Sequence, residues 1–565
     1  MKRLLFVLKT FRLLREHKPG KLAVIFAITL FNGITAGFSI VLLIPLLQLL
    51  NVGSGEPAEG TALFFKNLAD RVGIGLTIES ILLVYLVLLT LTPLLQYLKS
   101  LLDAGYQQTF IYRLRRRLFR KIILADWSLL NHKSKTNHLQ VLTKEVPGVA
   151  GYYYYYLHMI MSLLMTLAYL AWAVLISPGF TLIIAGVGVL LFIFLRRFLF
   201  KAFHLGEGLI DSYSRLLKYI DDFWETVKIA KVHSSEQFYY EKFDEANTSL
   251  LNLEYKIRKN SSLPQLIYRI AGIVVLAFVV YAGYKGGYMP LTSLFILILL
   301  FSRIFPQFVG INSNINTIIS MIPSVRMVMQ LDEELPEKDF EASPADKGFS
   351  LEREIKLDKI SFSYPGGEKL FDNFSATIPA NKITGIIGES GRGKTTLIDI
   401  IAGLQAPDEG TVSVDGRSLD EGFLPAWKNS IGYLPQDPFF IDGTLRENLV
   451  WDSNPGVSDS EILKVLDSVN ASYLLKRFRK GLDEHIVNYQ FNFSGGECQR
   501  LALARVMLRN PDMLLLDEAT SSLDSENEKQ VMDAIMQLKD QVTVIFVTHR
   551  ASLLPYFDKI ISLDT

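Results

Sequence analysis

Across its first 330 residues the chain alternates long apolar runs with polar stretches, the runs falling at 22–50, 77–102, 157–176, 180–200, 267–284 and 289–311. A helix needs about 20 residues to cross a bilayer core, and each run meets or approaches that length once its flanks are counted. Six membrane-spanning helices are predicted. The charges between the runs follow the rule that basic loops stay in the cytoplasm. Residues 101–142 hold eight Lys and Arg against two Asp, whereas 51–76 hold two basic and three acidic residues. Both chain ends are therefore expected in the cytoplasm. Residues 1–21 carry seven Lys and Arg against the single acid Glu16, with Leu, Phe and Val between them. That pattern reads as an amphipathic cytoplasmic lead-in helix. It is expected to stay attached, because the apolar run behind it is too long for a signal peptide and lacks a small-residue cleavage site.

The links after the third and fifth runs are a few residues long, but the stretches near 101–156 and 200–265 run past 50 residues. Both keep helix-period apolar positions with few breakers, so the spanning helices are predicted to continue into the cytoplasm as stalks. Each stalk pair ends in a reversal, expected near 126–136 and near 205–219. The membrane part then covers 22–330.

Polar side chains inside an apolar run are costly and need a reason. In the sixth run Arg303, Gln307 and Asn314 share one helical face, while Asn312 and Asn316 fall on nearly the opposite one. Two readings stand: hydrogen bonds between helices, or a polar cavity wall on which Arg303 draws an anionic group. Tyr152 to Tyr156 are five consecutive tyrosines. At steps of about 100° only two or three can face one cavity, so an interfacial aromatic belt explains them better than stacking on substrate. Pro45, Pro93 and Pro306 are placed to kink their helices.

Residues 331–351, LDEELPEKDFEASPADKGFSL, are charged and proline-bearing and read as a linker. From 352 to 565 the pattern changes to short apolar strands alternating with helices, an α/β domain. The strand 383–387 runs into GESGRGKTT, which is Gly388, Glu389, Ser390, Gly391, Arg392, Gly393, Lys394, Thr395 and Thr396, and a helix follows. Strand, glycine loop and helix in that order cradle a triphosphate: glycines curl backbone N–H groups around phosphate oxygens, Lys394 adds a point charge, and the Thr395 hydroxyl reaches Mg²⁺. Tyr364, at the end of an alternating strand, can stack on a purine. Gln436 ends another strand, where its amide reaches Mg²⁺ and an attacking water. Ser494, Gly495, Gly496 and Glu497 precede a helix whose first N–H groups seek phosphate. Asp517 ends the strand of MLLLDEATSSLD as a metal-holding carboxylate, Glu518 beside it can activate water, and His549 caps a further strand within reach of a γ-phosphate.

Half the residues are hydrophobic and mean hydropathy is +0.26, with the excess in the first 330 residues. A net charge of +1 argues against a nucleic-acid binder. One cysteine, Cys498, excludes a disulfide framework.

Taken together and in this order, these motifs make residues 355–565 resemble the nucleotide-binding domain of ATP-binding cassette (ABC) transporters, and six spans ahead of it resemble the exporter type. The resemblance covers essentially the whole chain. It implies ATP and Mg²⁺ as ligands, with Tyr364 as the adenine-stacking aromatic and 388–396 as the Walker A loop. It further implies Gln436 as the Q-loop residue, Ser494 to Glu497 as the signature, Asp517 and Glu518 as Walker B aspartate and general base, Asp524 in the D-loop, and His549 as the switch histidine. Two such domains meet head to tail in that family, so a homodimer with two competent sites is expected. The reversals would sit beside Gln436, Phe439 and Phe440 and turn the spans as the domains close. A multi-pass bacterial inner membrane protein is the expected setting.

This chain departs from the family pattern at Phe493 and Glu497, where Leu and Gln are usual. It also has Arg392 where a small residue is usual and Asn488 where exporters show a glutamate. The expected activity is ATP-driven export or flipping of an amphipathic substrate such as a lipid, a lipid-linked oligosaccharide, a peptide or a drug. Arg303 and the Asn- and Gln-rich sixth span favour a polar head. A peptide exporter is the close alternative, and an ATP-gated channel or regulator the alternative from another class.

Overall fold

A computed structural model describes residues 19–43, 46, 77–131, 135–286, 291–338, 349–364, 366–420, 422–451, 456–487, 493–520 and 525–564. Residues 1–18 of the expected lead-in helix, Pro45, Asn488, Asp524 and residues 339–348 of the linker lie outside them. The chain divides into two units, the first of Met1–Ala125 and Leu129–Lys338, the second of Asp339–Thr565 with Asp126–Ser128.

The first unit is helical: α1 (Pro19–Val41), α2 (Ile78–Leu124), α3 (Trp127–Asn131), α4 (Lys135–Ile176), α5 (Pro178–Val232), α6 (Glu236–Lys285) and α7 (Leu291–Glu334). Among the described residues six of these, all but α3, are long and apolar enough to cross a membrane. At about 1.5 Å per residue, the 55 residues of α5 reach about 80 Å, far beyond a hydrocarbon core of about 30 Å. The spans do continue as stalks. Local chemistry sets their ends: the Thr77 hydroxyl accepts from the Ser80 N–H at 3.3 Å to start α2, and Pro178 opens α5 where its missing N–H costs nothing. Pro93 and Pro306 lie within unbroken helices.

The first reversal falls where expected, with α3 between α2 and α4. The second does not. Residues 205–219 lie in the middle of α5, and the chain turns instead at His233 to Ser235, where Ser234 has φ of +49°. Residues 205–219 hold Gly206, which serves a helix contact: a Cβ there would run into the carbonyl oxygen of Ser320. Gly206 lets α5 and α7 touch backbone to backbone.

α7 is the hub of the unit, packing on α4, α5 and α6, with Leu297, Leu300, Phe301 and Ile304 buried completely. Outward positions are apolar and bare, including Leu83, Leu182 and Ile273 at 64%, 73% and 68% exposure. So much exposed hydrocarbon suits lipid rather than water. The tyrosine run divides. Tyr152 and Tyr153 are buried, Tyr153 edge-on to Phe110 at 5.1 Å, so these two form helix core rather than an interfacial belt. Polar residues of α7 divide as well. Asn316 is buried against Asn260, whose side chain also donates to the Phe198 carbonyl at 2.9 Å, and Gln265 donates to Ser313 at 3.2 Å. These serve helix packing. Arg303 is exposed and Gln307 half-buried.

The second unit is built on two sheets. The antiparallel one orders β2 (Lys369–Pro379), β1 (Glu354–Ser363), β4 (Glu409–Val414) and β5 (Arg417–Ser418). The parallel one orders β11 (Lys559–Ser562), β3 (Ile383–Ile387), β10 (Thr543–Val547), β9 (Met513–Asp517) and β6 (Ile431–Leu434). A small pair, β7 (Gly443–Thr444) and β8 (His485–Ile486), stands apart. The helices are α8 (Lys394–Ile401), α9 (Leu424–Ser430), α10 (Leu445–Val450), α11 (Asp459–Ser468), α12 (Gly495–Leu508) and α13 (Ser525–Met536). β9 and β10 are buried at every position, as near-continuous apolar runs must be when both faces of a parallel sheet are covered. One core joins the parallel sheet to α10, α11, α12 and α13; the other joins it to the antiparallel sheet through α8 and α9. Each fully buried Leu, Ile or Val in them contributes about 1.5–3 kcal/mol.

Candidate functional site

Register brings the site together. Ile386 pairs with Val547, and Val547 with Asp517, so β3, β9 and β10 end side by side and their following loops open on one edge. This is where ligands bind in open parallel sheets. In the loop after β3, Gly391 and Gly393 have φ of +87° and +89°, a left-handed backbone that glycine adopts freely. A Cβ on Gly393 would also press to 2.9 Å from the Leu370 side chain. Lys394 opens α8, and its Nζ donates to the carbonyl oxygens of Gly388 and Glu389 at 2.7 and 2.8 Å. The Glu389 N–H donates to the Asp564 carboxylate at 2.8 Å. Arg392 is exposed, 4.0 Å from Glu389, and so lies outside the loop's interior contacts. Tyr364 is held edge-on to Phe362 at 5.1 Å, with its hydroxyl 3.0 Å from that of Thr396 and 44% of its surface open.

Glu518 is the point of strain. Its φ is +47°, which costs a residue with a Cβ about 1–2 kcal/mol, and its N–H donates to the Val547 carbonyl at 3.1 Å. That turn aims the carboxylate at two partners: Gln436 Nε2 donates to Oε2 at 2.9 Å, and His549 Nδ1 stands 3.3 Å from Oε1. Strain retained beside two polar partners is characteristic of functional positions. Asp517, only 6% exposed, lies next door. Burial, then the charge of Glu518, push its carboxyl above the ordinary aspartate value, and Lys394 and the Thr395 hydroxyl pull it back only in part. Two neighbours had no motif to announce them. Asp399 is pushed up to about 6 by burial and by Asp517, and Tyr433 up to about 12 by burial and both aspartates.

Ser494 heads α12 in a reciprocal cap. Its hydroxyl accepts from the Glu497 N–H at 3.3 Å, and Glu497 Oε2 accepts from the Ser494 N–H at 2.7 Å. Glu497 Oε1 accepts from Arg477 at 2.6 Å and from the Tyr473 hydroxyl at 3.1 Å. Burial pushes this carboxyl up, but the Ser494, Tyr473 and Arg477 contacts outweigh it and hold it below the ordinary glutamate value. The structure thus joins Gln436, Glu518 and His549 directly, and Lys394 and Thr395 to Asp517. Among the described residues, Ser494 and Glu497 bond within their own cap and to Tyr473 and Arg477, not to the 388–396 loop.

The residues present fit ATP with Mg²⁺. The glycine loop offers N–H groups and a lysine charge, Tyr364 offers an open ring, and Thr395 with Asp517 offers hard oxygen ligands. Among the described residues no group of three or more His, Cys, Asp or Glu is arranged to hold a metal ion by itself.

Fold and site together define a P-loop ATPase unit following a bundle of membrane-length helices. The family model described as the ABC transporter transmembrane region matches residues 22–307, and that described as ABC transporter matches 371–521. The chain belongs to the ABC transporters, as a half-transporter of the exporter type with one membrane region and one ATP-binding domain. Among its relatives, an uncharacterised ABC transporter ATP-binding protein of Sinorhizobium fredii is 28% identical over 88% of this chain and 84% of its own length. An ATP-dependent lipid A-core flippase of Haemophilus influenzae is 24% identical over 90% of each. In fold, the chain superposes with a TM-score of 0.79 on a bacterial Atm1-family ABC exporter with ATP bound, at 19% identity over 96% of this chain and 94% of that one.

Proposed function

We propose that two copies of this chain couple ATP hydrolysis to the export or flipping of an amphipathic, polar-headed molecule across the bilayer. The observation that carries the hydrolytic part is the strained Glu518, its carboxylate bridging Gln436 and His549 beside the buried Asp517. Lys394 and the loop N–H groups bind the phosphates, while Thr395, Asp517 and Gln436 hold the magnesium ion. That ion neutralises phosphate charge when bound. Glu518 takes the proton of the attacking water, with Gln436 fixing one carboxylate oxygen and His549 the other. Ser494, Gly495 and Gly496 of the second copy close the site, with Asp524 beside them. Closure favours one arrangement of the helices only through the tighter binding of ATP in the closed state. Loss of general-base catalysis costs about 10²–10⁴-fold. Glu518→Gln should therefore lower ATP turnover by at least about a hundredfold and leave ATP binding intact; undiminished turnover removes Glu518 from this role.

For the substrate, support comes from Arg303, exposed on α7. A guanidinium facing hydrocarbon is expensive, so this face suits a cavity shared with the second copy, where it draws an anionic or strongly polar head. The flippase name of the Haemophilus relative agrees with a lipid-like substrate. Arg303→Ala should depress substrate-stimulated ATPase in lipid nanodiscs several-fold more than basal ATPase. Equal loss of the two assigns Arg303 to packing.

A further inference from the structure

Glu497 poses a contradiction. It places a carboxylate in the first turn of α12, the helix end that is to receive a phosphate. Negative charge there steadies the helix but competes with any anion approaching the same end.

The surrounding contacts resolve it. Oε2 accepts from the Ser494 N–H at 2.7 Å, and Oε1 takes both Arg477 Nη1 at 2.6 Å and the Tyr473 hydroxyl at 3.1 Å. That hydroxyl accepts in turn from Arg500 Nη2 at 2.7 Å, so its own proton is committed to Glu497. Arg500 is almost fully buried and is anchored on Asn527 as well. One guanidinium pairs with the carboxylate directly and a second reaches it through the Tyr473 hydroxyl, so the negative charge at the head of the helix is offset. The cap also orients Ser494. Its Oγ accepts from the Glu497 N–H, which leaves the hydroxyl proton to point outward as a donor. A glutamine could repeat the contact to Ser494 through its amide oxygen but would not call for Arg477.

We propose that Arg477, supported by Tyr473 and Arg500, is a positioning residue of the ATP site: it cancels the charge of Glu497, so that this carboxylate locks Ser494 in its donating orientation without repelling the second copy's ATP. The inference rests on the proposed head-to-tail closure of two copies. Arg477 and Glu497 form a matched pair, and the damage from losing the arginine is electrostatic.

The experiment measures the ATP concentration at half-maximal closure of the two ATPase units, by pulsed dipolar distances between spin labels in full-length protein in nanodiscs. A Glu518→Gln parent removes turnover from the readout. Arg477→Ala should raise the half-saturating ATP about tenfold; Glu497→Gln alone, which leaves the arginine charge uncancelled, should not raise it; and Glu497→Gln added to Arg477→Ala should restore it. Melting temperatures accompany each variant, since a merely structural role for Arg477 would lower the melting temperature and leave the half-saturating ATP of the folded protein unchanged. Closure in the parent without rescue in the double variant overturns this inference alone. No ATP-dependent closure in the parent overturns the two-copy reading and this inference with it.

Discussion

Asp399 sits on α8 five residues beyond Lys394, half-buried. Burial, and then Asp517, push its carboxyl from 3.8 up to about 6. The fold therefore favours the neutral form, and the sign follows: the stability it contributes is full below pH 3.8 and is lost as pH rises through about 6. Asp399→Asn removes the titration while keeping the shape. The variant should melt with the wild type near pH 4 and above it at pH 7.5, by an increment that solvent screening holds to about 1 kcal/mol. Equal melting temperatures at pH 7.5 would show that Asp399 ionises without penalty. Asp399 also shows where sequence reading stops. Lys394, Asp517, Glu518 and His549 were legible because each must stand next to a strand tip or glycine loop, a local requirement that leaves a local motif. Asp399, Tyr433, Arg477 and Asp564 reach the site or its supports through tertiary contacts, Asp564 from 175 residues away from Glu389, and no local pattern marks them.

At the scale of elements, the apolar runs predicted the spans well because hydrocarbon thickness imposes one length on every crossing. The second reversal lies at 233–235 and not in the expected 205–219; that stretch holds glycines, which serve turns and close helix contacts alike, and only the partner helix distinguishes the two. Gly206 and Gly208 make that difference measurable. A Cβ at 206 would meet the Ser320 carbonyl at 2.1 Å, whereas one at 208 would meet Leu253 at an ordinary 3.5 Å. Gly206→Ala should destabilise the helical unit by about 1–3 kcal/mol, the usual cost of overpacking, and Gly208→Ala should leave its melting temperature in detergent unchanged or slightly higher. Identical behaviour of the two would mean that α5 and α7 do not meet at Gly206. The tyrosine run teaches the same lesson, since periodicity limits how many rings share a face but does not say whether that face meets lipid, cavity or helix. Tyr152 and Tyr153 met helices.

For the whole molecule, the central claim is the proposed sharing of the ATP site between two copies. The loop, Asp517 and Glu518 stand on one edge of the parallel sheet, while Ser494 and its cap bond elsewhere in the same unit, so a signature facing the phosphates is expected to come from a second copy. The order of motifs made an ATPase domain behind six membrane-length helices legible before any coordinate, because a P-loop, a signature and a strand-end Asp-Glu in sequence occur together in one family. What order alone did not convey was how Glu497 is accommodated or which α7 residues are committed to packing. The two-copy claim is tested most directly by the native mass of the detergent-solubilised Glu518→Gln protein in Mg²⁺ and ATP. Two 63.9 kDa chains carrying two ATP molecules are predicted; single chains, each holding its own nucleotide, would contradict the account.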